Sequence, residues 1–214
     1  MGIPYEISQG RFDDARAMAE KMVASRPKFP GGHLHLAGIA LAGKNLTEAL
    51  PHLRKAVELA PDSARARRKL GNTLRELGRY EQAVPHLRYV VRLHPARASG
   101  HGHLGLALAM GGHPAEAVEH FREALVLDPE SVETHVNLAT ALTSLGKLEQ
   151  AITHYDEAVK LLRLAAAQGN AKAQYTYGIM HQRGHGVAPE VLNAYKELWD
   201  TGEMTVRARL VLSP

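Results

Sequence analysis

The sequence predicts an all-α protein built as a stack of helix hairpins, and three observations carry that prediction. Pro27, Pro61, Pro95 and Pro129 recur every 34 residues. Leu36, Leu70, Leu104 and Leu138 keep the same interval, each followed by a small residue: Ala37, Gly71, Gly105 and Ala139. Glycines stand near the middle of each period, at Gly43, Gly78, Gly112 and Gly146, where a helix would break. A fixed period of this length is the mark of a structural repeat that buries its apolar face only by stacking on its neighbours.

Taken in order, Phe12 to Ser25 reads as the second helix of a unit whose first helix is cut short, within a partial repeat over 1–29. Four complete units follow at 30–61, 62–95, 96–129 and 130–163. In the second, Leu70, Leu74 and Leu77 and then Ala83, Leu87 and Val90 fall at helical spacing on either side of Gly78. Three columns mark the second helix of each unit. One is alanine: Ala49, Ala83, Ala117 and Ala151, with Ala15 before them. One is bulky: Leu53, Leu87, Phe121 and Tyr155. The third is mostly small: Ala56, Val90, Ala124 and Ala158. Small residues such as Gly71 and Ala83 let two helix backbones approach, and the prolines close each unit. The register breaks at Arg163, where the next proline would fall.

These residues resemble the tetratricopeptide repeat. The resemblance implies a right-handed superhelical solenoid of antiparallel helix pairs that acts as a protein-binding scaffold. His33, Arg67, His101 and His135 stand where that family carries a large aromatic. Beyond the fourth unit, the run from Ala165 to Gln174, with Tyr175, Gly178, Met180, Gly184 and Gly186, is similar to a Sel1-like repeat. That likeness implies a further helix pair over 164–200, its first part sharing the helix that starts near Leu148. Residues 201–214 fit an alternating strand and a degenerate helix equally.

Composition narrows the classes of function. The 214 residues are 45% hydrophobic and 22% charged, as in a folded globular chain, and aromatics are only 5%. A net charge of +4 is weak evidence for nucleic acid. The absence of cysteine excludes disulfides, thiolate zinc sites and cysteine nucleophiles. No run approaches the ~20 apolar residues of a membrane span. No secretory leader is visible, so a cytoplasmic location is expected. Gly2 lacks the hydroxyl residue that a myristoylation signal would place at Glu6.

Candidate motifs for chemistry dissolve on inspection, and no enzymatic activity, cofactor or metal is expected. The segment Gly38 to Asn45 approaches a phosphate-binding loop, but Asn45 replaces the magnesium-binding hydroxyl and no strand precedes it. Gly184 and Gly186 make a turn, not a dinucleotide fingerprint. His52, His86, His120 and His154 form a ladder at the repeat period. Packed helices lie ~8–10 Å apart, so successive rungs cannot share a metal and read as surface or half-buried histidines. No nucleophile, base and orienting group cluster in the sequence.

A partner site is expected on the first helix of each unit, which lines the concave face in the resembling family. Arg65, Arg68, Asn72 and Arg75 share one face of the helix 64–77, with Lys69 beside them. The matching positions include Leu34 and His35 in the unit before, His103, Leu106 and Met110 in the unit after, and then Asn137 and Thr140. The groove therefore runs from apolar through basic to apolar and then polar. It suits a peptide segment with carboxylates, which arginine takes bidentately, flanked by hydrophobic anchors. Arg68 and Asn72 resemble the opening pair of the family's carboxylate clamp. His103, Glu133 and Asn137 do not complete it, which argues against chaperone tails.

Two other readings stand beside this one. The chain could be an accessory repeat segment of a larger multidomain enzyme such as a transferase. It could instead bind nucleic acid through the Arg65–Arg75 face, although those basic positions occur in one unit and do not recur. Phe12, Met18 and Met22 on an incompletely covered first helix favour self-association through the open repeat ends.

Overall fold

The computed structural model describes residues 12–167, and all the regular structure among them is helical. The nine helices are α1 (Phe12–Ser25), α2 (Pro30–Ala42), α3 (Leu46–Leu59), α4 (Ala64–Glu76), α5 (Tyr80–Leu93), α6 (Ala98–Met110), α7 (Pro114–Leu127), α8 (Val132–Ser144) and α9 (Leu148–Ala167). The Sel1-like segment and the tail fall almost wholly outside the described residues. The chain divides after Gly111 into two compact units, Met1–Gly111 and Gly112–Pro214.

In the first unit each of α1 to α5 packs against the next helix, and in the second α7 packs on α8 and α8 on α9. Connections this short bring consecutive helices back alongside one another, as in an αα-hairpin. Two of the turns use a left-handed glycine, Gly78 (φ 72°) and Gly146 (φ 71°), and Gly112 (φ 85°) repeats the conformation. The first repeat differs from the expectation that Gly43 makes this turn. Gly43 has φ −79°, and Lys44 takes the left-handed conformation at φ 58°. Residue 44, not 43, holds the register of Gly78, Gly112 and Gly146, so a lysine bears backbone strain that glycine avoids elsewhere.

The sequence columns form the core. In the first unit Leu53, Ala56, Leu70, Leu74, Ala83, Leu87 and Leu104 are buried, and in the second Phe121, Leu138, Leu142, Ala158 and Val159 are. Leu77, expected to point into the stack, is only half-buried at the end of α4. The small column is required at Gly71. A Cβ there would lie 2.8 Å from both Cγ and Cδ2 of Leu87, closer than carbon atoms pack. On α1, Ala15 and Ala19 pack with Leu36 and Ile39 of α2, and Met22 lies against that cluster. Met18 is 45% exposed, and the side chain of Phe12 falls outside the described set.

Side-chain caps define several helix starts. Ser63 accepts from the Ala66 amide at 3.2 Å and Ser131 from the Thr134 amide at 3.4 Å. Asn45 accepts from the Glu48 amide at 3.1 Å. Successive second helices are also stitched laterally, Arg54 donating to Gln82 in the first unit and Arg122 to Gln150 in the second.

The polar column that replaces the family's aromatic has a structural task. Arg67 Nε donates to the carbonyl of Pro61 at 2.5 Å. His101 Nε2 meets the Pro95 carbonyl at 3.0 Å, and His135 Nε2 the Pro129 carbonyl at 3.1 Å. Each side chain thus ties the start of a first helix to the proline that ends the preceding repeat. Carbonyl oxygens only accept, so Nε2 of each of these two rings carries hydrogen.

Candidate functional site

Helix α4 owes its charged face to its position between two leucine-lined neighbours. Leu70 and Leu74 hold one side in the core, which leaves Arg65, Arg68, Lys69, Asn72 and Arg75 on the remaining surface. Arg65 is exposed and the other four are half-buried. Among the described residues, Arg65, Arg68 and Lys69 have no carboxylate in salt-bridge contact, and Arg75 meets only Glu76, at 3.5 Å. The Lys69 ammonium is held below its ordinary pKa by burial first, and then by the Arg65 and Arg68 guanidiniums. His35 on α2 is likewise lowered, by burial and then by Arg65. Like charges left this close without a counter-ion favour an incoming anion.

Arg68 and Lys69 share one cleft of about 520 Å³ with a third cation, Lys44. Arg68, Lys69, Asn72, Thr73 and Glu76 of α4 form one wall; Leu41, Lys44 and Leu46 form the other. The two leucines supply an apolar surface beside Lys44, Arg68 and Lys69. Among the described residues the buried amide oxygen of Asn72 and Nε of Arg75 have no hydrogen-bond partner. Lys44 and Leu46 were not among the sequence candidates. They belong to the turn and the next helix, which a reading confined to first-helix positions passes over.

The other candidates are dispersed. Leu34 is half-buried on α2, and His103 and Leu106 are half-buried on α6. Met110 is 59% exposed and lines a second cleft of about 350 Å³ against Gly78, Arg79, Tyr80, Glu81 and Gln82. Asn137 and Thr140 stand on α8 in the second unit. Thr140 is already engaged, donating to the Val136 carbonyl at 2.9 Å and pairing with the Tyr155 hydroxyl at 3.1 Å. Its exposure in sequence terms did not reveal that contact, which runs to the next helix.

The histidine ladder resolves into pairs that the sequence reading missed. His33 Nδ1 lies 3.3 Å from His52 Nδ1, and His135 Nδ1 lies 3.2 Å from His154 Nδ1. The ladder's rungs join the polar column of the same repeat, 19 residues away, and not one another. Among the described residues no group of three or more histidines or carboxylates could hold a metal ion.

Helix hairpins stacked on small-residue columns, with a cleft lined by three cations, define a helical-repeat interaction scaffold. The chain belongs to the tetratricopeptide repeat family: one model of that repeat matches residues 3–64 and 68–132, and a second matches 108–175. A comparison with curated proteins returned no match. Among solved structures, the chain is similar to MamA 41-end from Desulfovibrio magneticus RS-1 at 21% identity, over 74% of this chain and 90% of that one, with a TM-score of 0.70. MamA MSR-1 shares 28% identity over 75% and 91%, with a TM-score of 0.68. YrrB, described as a tetratricopeptide protein with an unusual peptide-binding site, shares 19% over 74% and 82%, with a TM-score of 0.71. No described helix is long and apolar enough to cross a membrane.

Proposed function

We propose that the first unit captures an acidic segment of a partner protein, its carboxylates taken by the α4 face and its apolar side chains seated on the leucines beside it. The observation that carries this reading is the cluster of Arg65, Arg68 and Lys69, which has no carboxylate partner among the described residues and lies beside a cleft walled by Leu41 and Leu46. Arg68 and Arg75 present guanidinium forks and Lys69 a point charge. Leu34, His35, His103, Leu106 and Met110 extend the contact along the neighbouring first helices. Asn137 and Thr140 are peripheral in this proposal because they belong to the other unit.

The test uses a fluorescein-labelled peptide alternating Asp or Glu with Leu, and the same sequence with the acids replaced by Asn and Gln. The acidic peptide is expected to bind, the amide peptide to bind at least ~10-fold more weakly, and Arg68→Glu with Arg75→Glu to abolish the difference. Loss of two charge-assisted contacts of ~1.5–3 kcal/mol each supports an effect of that size or larger. Equal binding of both peptides would refute the acidic preference. Tighter binding of a single-stranded oligonucleotide, with a steep loss of affinity in salt, would transfer the face to nucleic acid.

A further inference from the structure

We propose that the paired histidines make this repeat array an acid-sensitive switch, each pair joining its two helices only while it holds a single shared Nδ1 proton. The pairs sit inside helix hairpins: His33 of α2 with His52 of α3, and His135 of α8 with His154 of α9. The rings lie with centroids 5.6 and 5.4 Å apart and planes tilted by 32° and 39°, so the two hairpins repeat one arrangement.

The proton positions follow from the partners. His135 Nε2 donates to the Pro129 carbonyl, so in the neutral ring its Nδ1 is bare. His154 Nδ1 must then donate to it. The His33–His52 contact likewise needs one donor and one acceptor. Once both rings of a pair are protonated, two N–H groups face each other across the contact with nothing to accept either, and two positive charges stand on adjacent buried or half-buried rings. The hydrogen bond becomes a repulsion between the two helices of the hairpin, away from its turn.

The surroundings do little to absorb that charge. From α1, Arg16 and Glu20 face His52; from its own helix Glu48 does, but Glu48 is already paired with Arg16 and bonded by Asn45. Lys55 and Glu58 of α3 face His33. Arg122 of α7 faces His154. His33, His52 and His154 are all lowered from the ordinary histidine pKa, in each case by burial first, with the paired ring acting next on His33 and His154. The unfolded chain therefore takes up protons before the folded one does. The stabilisation is complete above pH ~6.5 and is lost as pH falls below it through the depressed folded-state values. The second repeat marks the contrast: Arg67 stands in the polar column, and His86 Nδ1 has no hydrogen-bond partner among the described residues. The third repeat carries histidine in both columns, His101 and His120.

The experiment is thermal melting of the whole chain by circular dichroism at pH 7.5 and pH 5.5, comparing the wild type with His52→Gln, His154→Gln. Glutamine can donate to or accept from the remaining ring and does not titrate. The wild-type midpoint is expected to fall with acid by about 4 °C more than the variant's. Equal falls overturn the proposal. Ring-proton NMR titration of the wild type gives an independent reading should the variant fold poorly. A set of histidines titrating below pH ~6.5 is expected, and titration of every histidine at or above that value overturns the proposal.

Discussion

Glycine to alanine inside two first helices should raise stability at one position and not at the other. Gly38 and Gly71 both lie inside first helices, α2 and α4. Among the described residues a Cβ at Gly38 meets nothing within 4 Å, so Gly38→Ala collects the intrinsic helix gain of about 1 kcal/mol. At Gly71 the same methyl arrives 2.8 Å from two carbons of Leu87, which is 1% exposed and has no open direction in which to yield. Overpacking of a filled core costs about 1–3 kcal/mol, which cancels or exceeds the helix gain. The two variants should therefore differ by about 1–3 kcal/mol, with Gly38→Ala the more stable. Urea unfolding followed by circular dichroism at constant slope reads this directly. Leu87→Ala added to Gly71→Ala should cost less than the sum of the single changes, because the second truncation removes the atoms the methyl strikes. Equal shifts for the two glycines, or strict additivity with Leu87→Ala, would refute the close-approach argument.

Further outcomes follow from particular side chains. Lys44→Gly should stabilise the chain by up to about 1 kcal/mol, as the left-handed strain at φ 58° exceeds the added chain entropy of glycine, measured by the same unfolding experiment. Lys69→Met should raise the unfolding midpoint while weakening the acidic peptide. It removes a half-buried cation pressed by Arg65 and Arg68, and with it one of the proposed carboxylate contacts; a fall in the midpoint would show that Lys69 is better satisfied than its surroundings indicate. Arg68→Glu with Arg75→Glu should leave the helical circular-dichroism signal unchanged, since neither belongs to the core, and should abolish the preference for carboxylates in the peptide comparison.

The helices and their order were legible in the chain because each repeat touches its neighbours and pays for burial with the same columns every 34 residues. Leucine, alanine and proline spacing therefore reports helix type and limits, and α1 and α4 fall where the spacing places them. The charged face of α4 was legible for the same reason: once Leu70 and Leu74 are assigned to the core, Arg65, Arg68, Lys69, Asn72 and Arg75 have only the other side. Its surroundings were not. Lys44 and Leu46 join the cleft because the turn from α2 to α3 comes beside α4, a placement that no periodicity records.

Sequence by itself determined the repeat, the all-α class, the family and the cationic character of one helix, since these depend on residue type and on spacing along the chain. Tertiary structure alone decided which polar atoms meet. His33 and His52, like His135 and His154, lie 19 residues apart and on different helices, so their 3.3 and 3.2 Å contacts depend on interhelical distance and ring rotamer. The proline carbonyl that orients His135 also lies on the preceding turn, outside any helical period. Hydrogen bonds act over tenths of an ångström, whereas hydrophobic columns tolerate whole side chains; the coarse force wrote itself into the sequence pattern and the fine one into the packing.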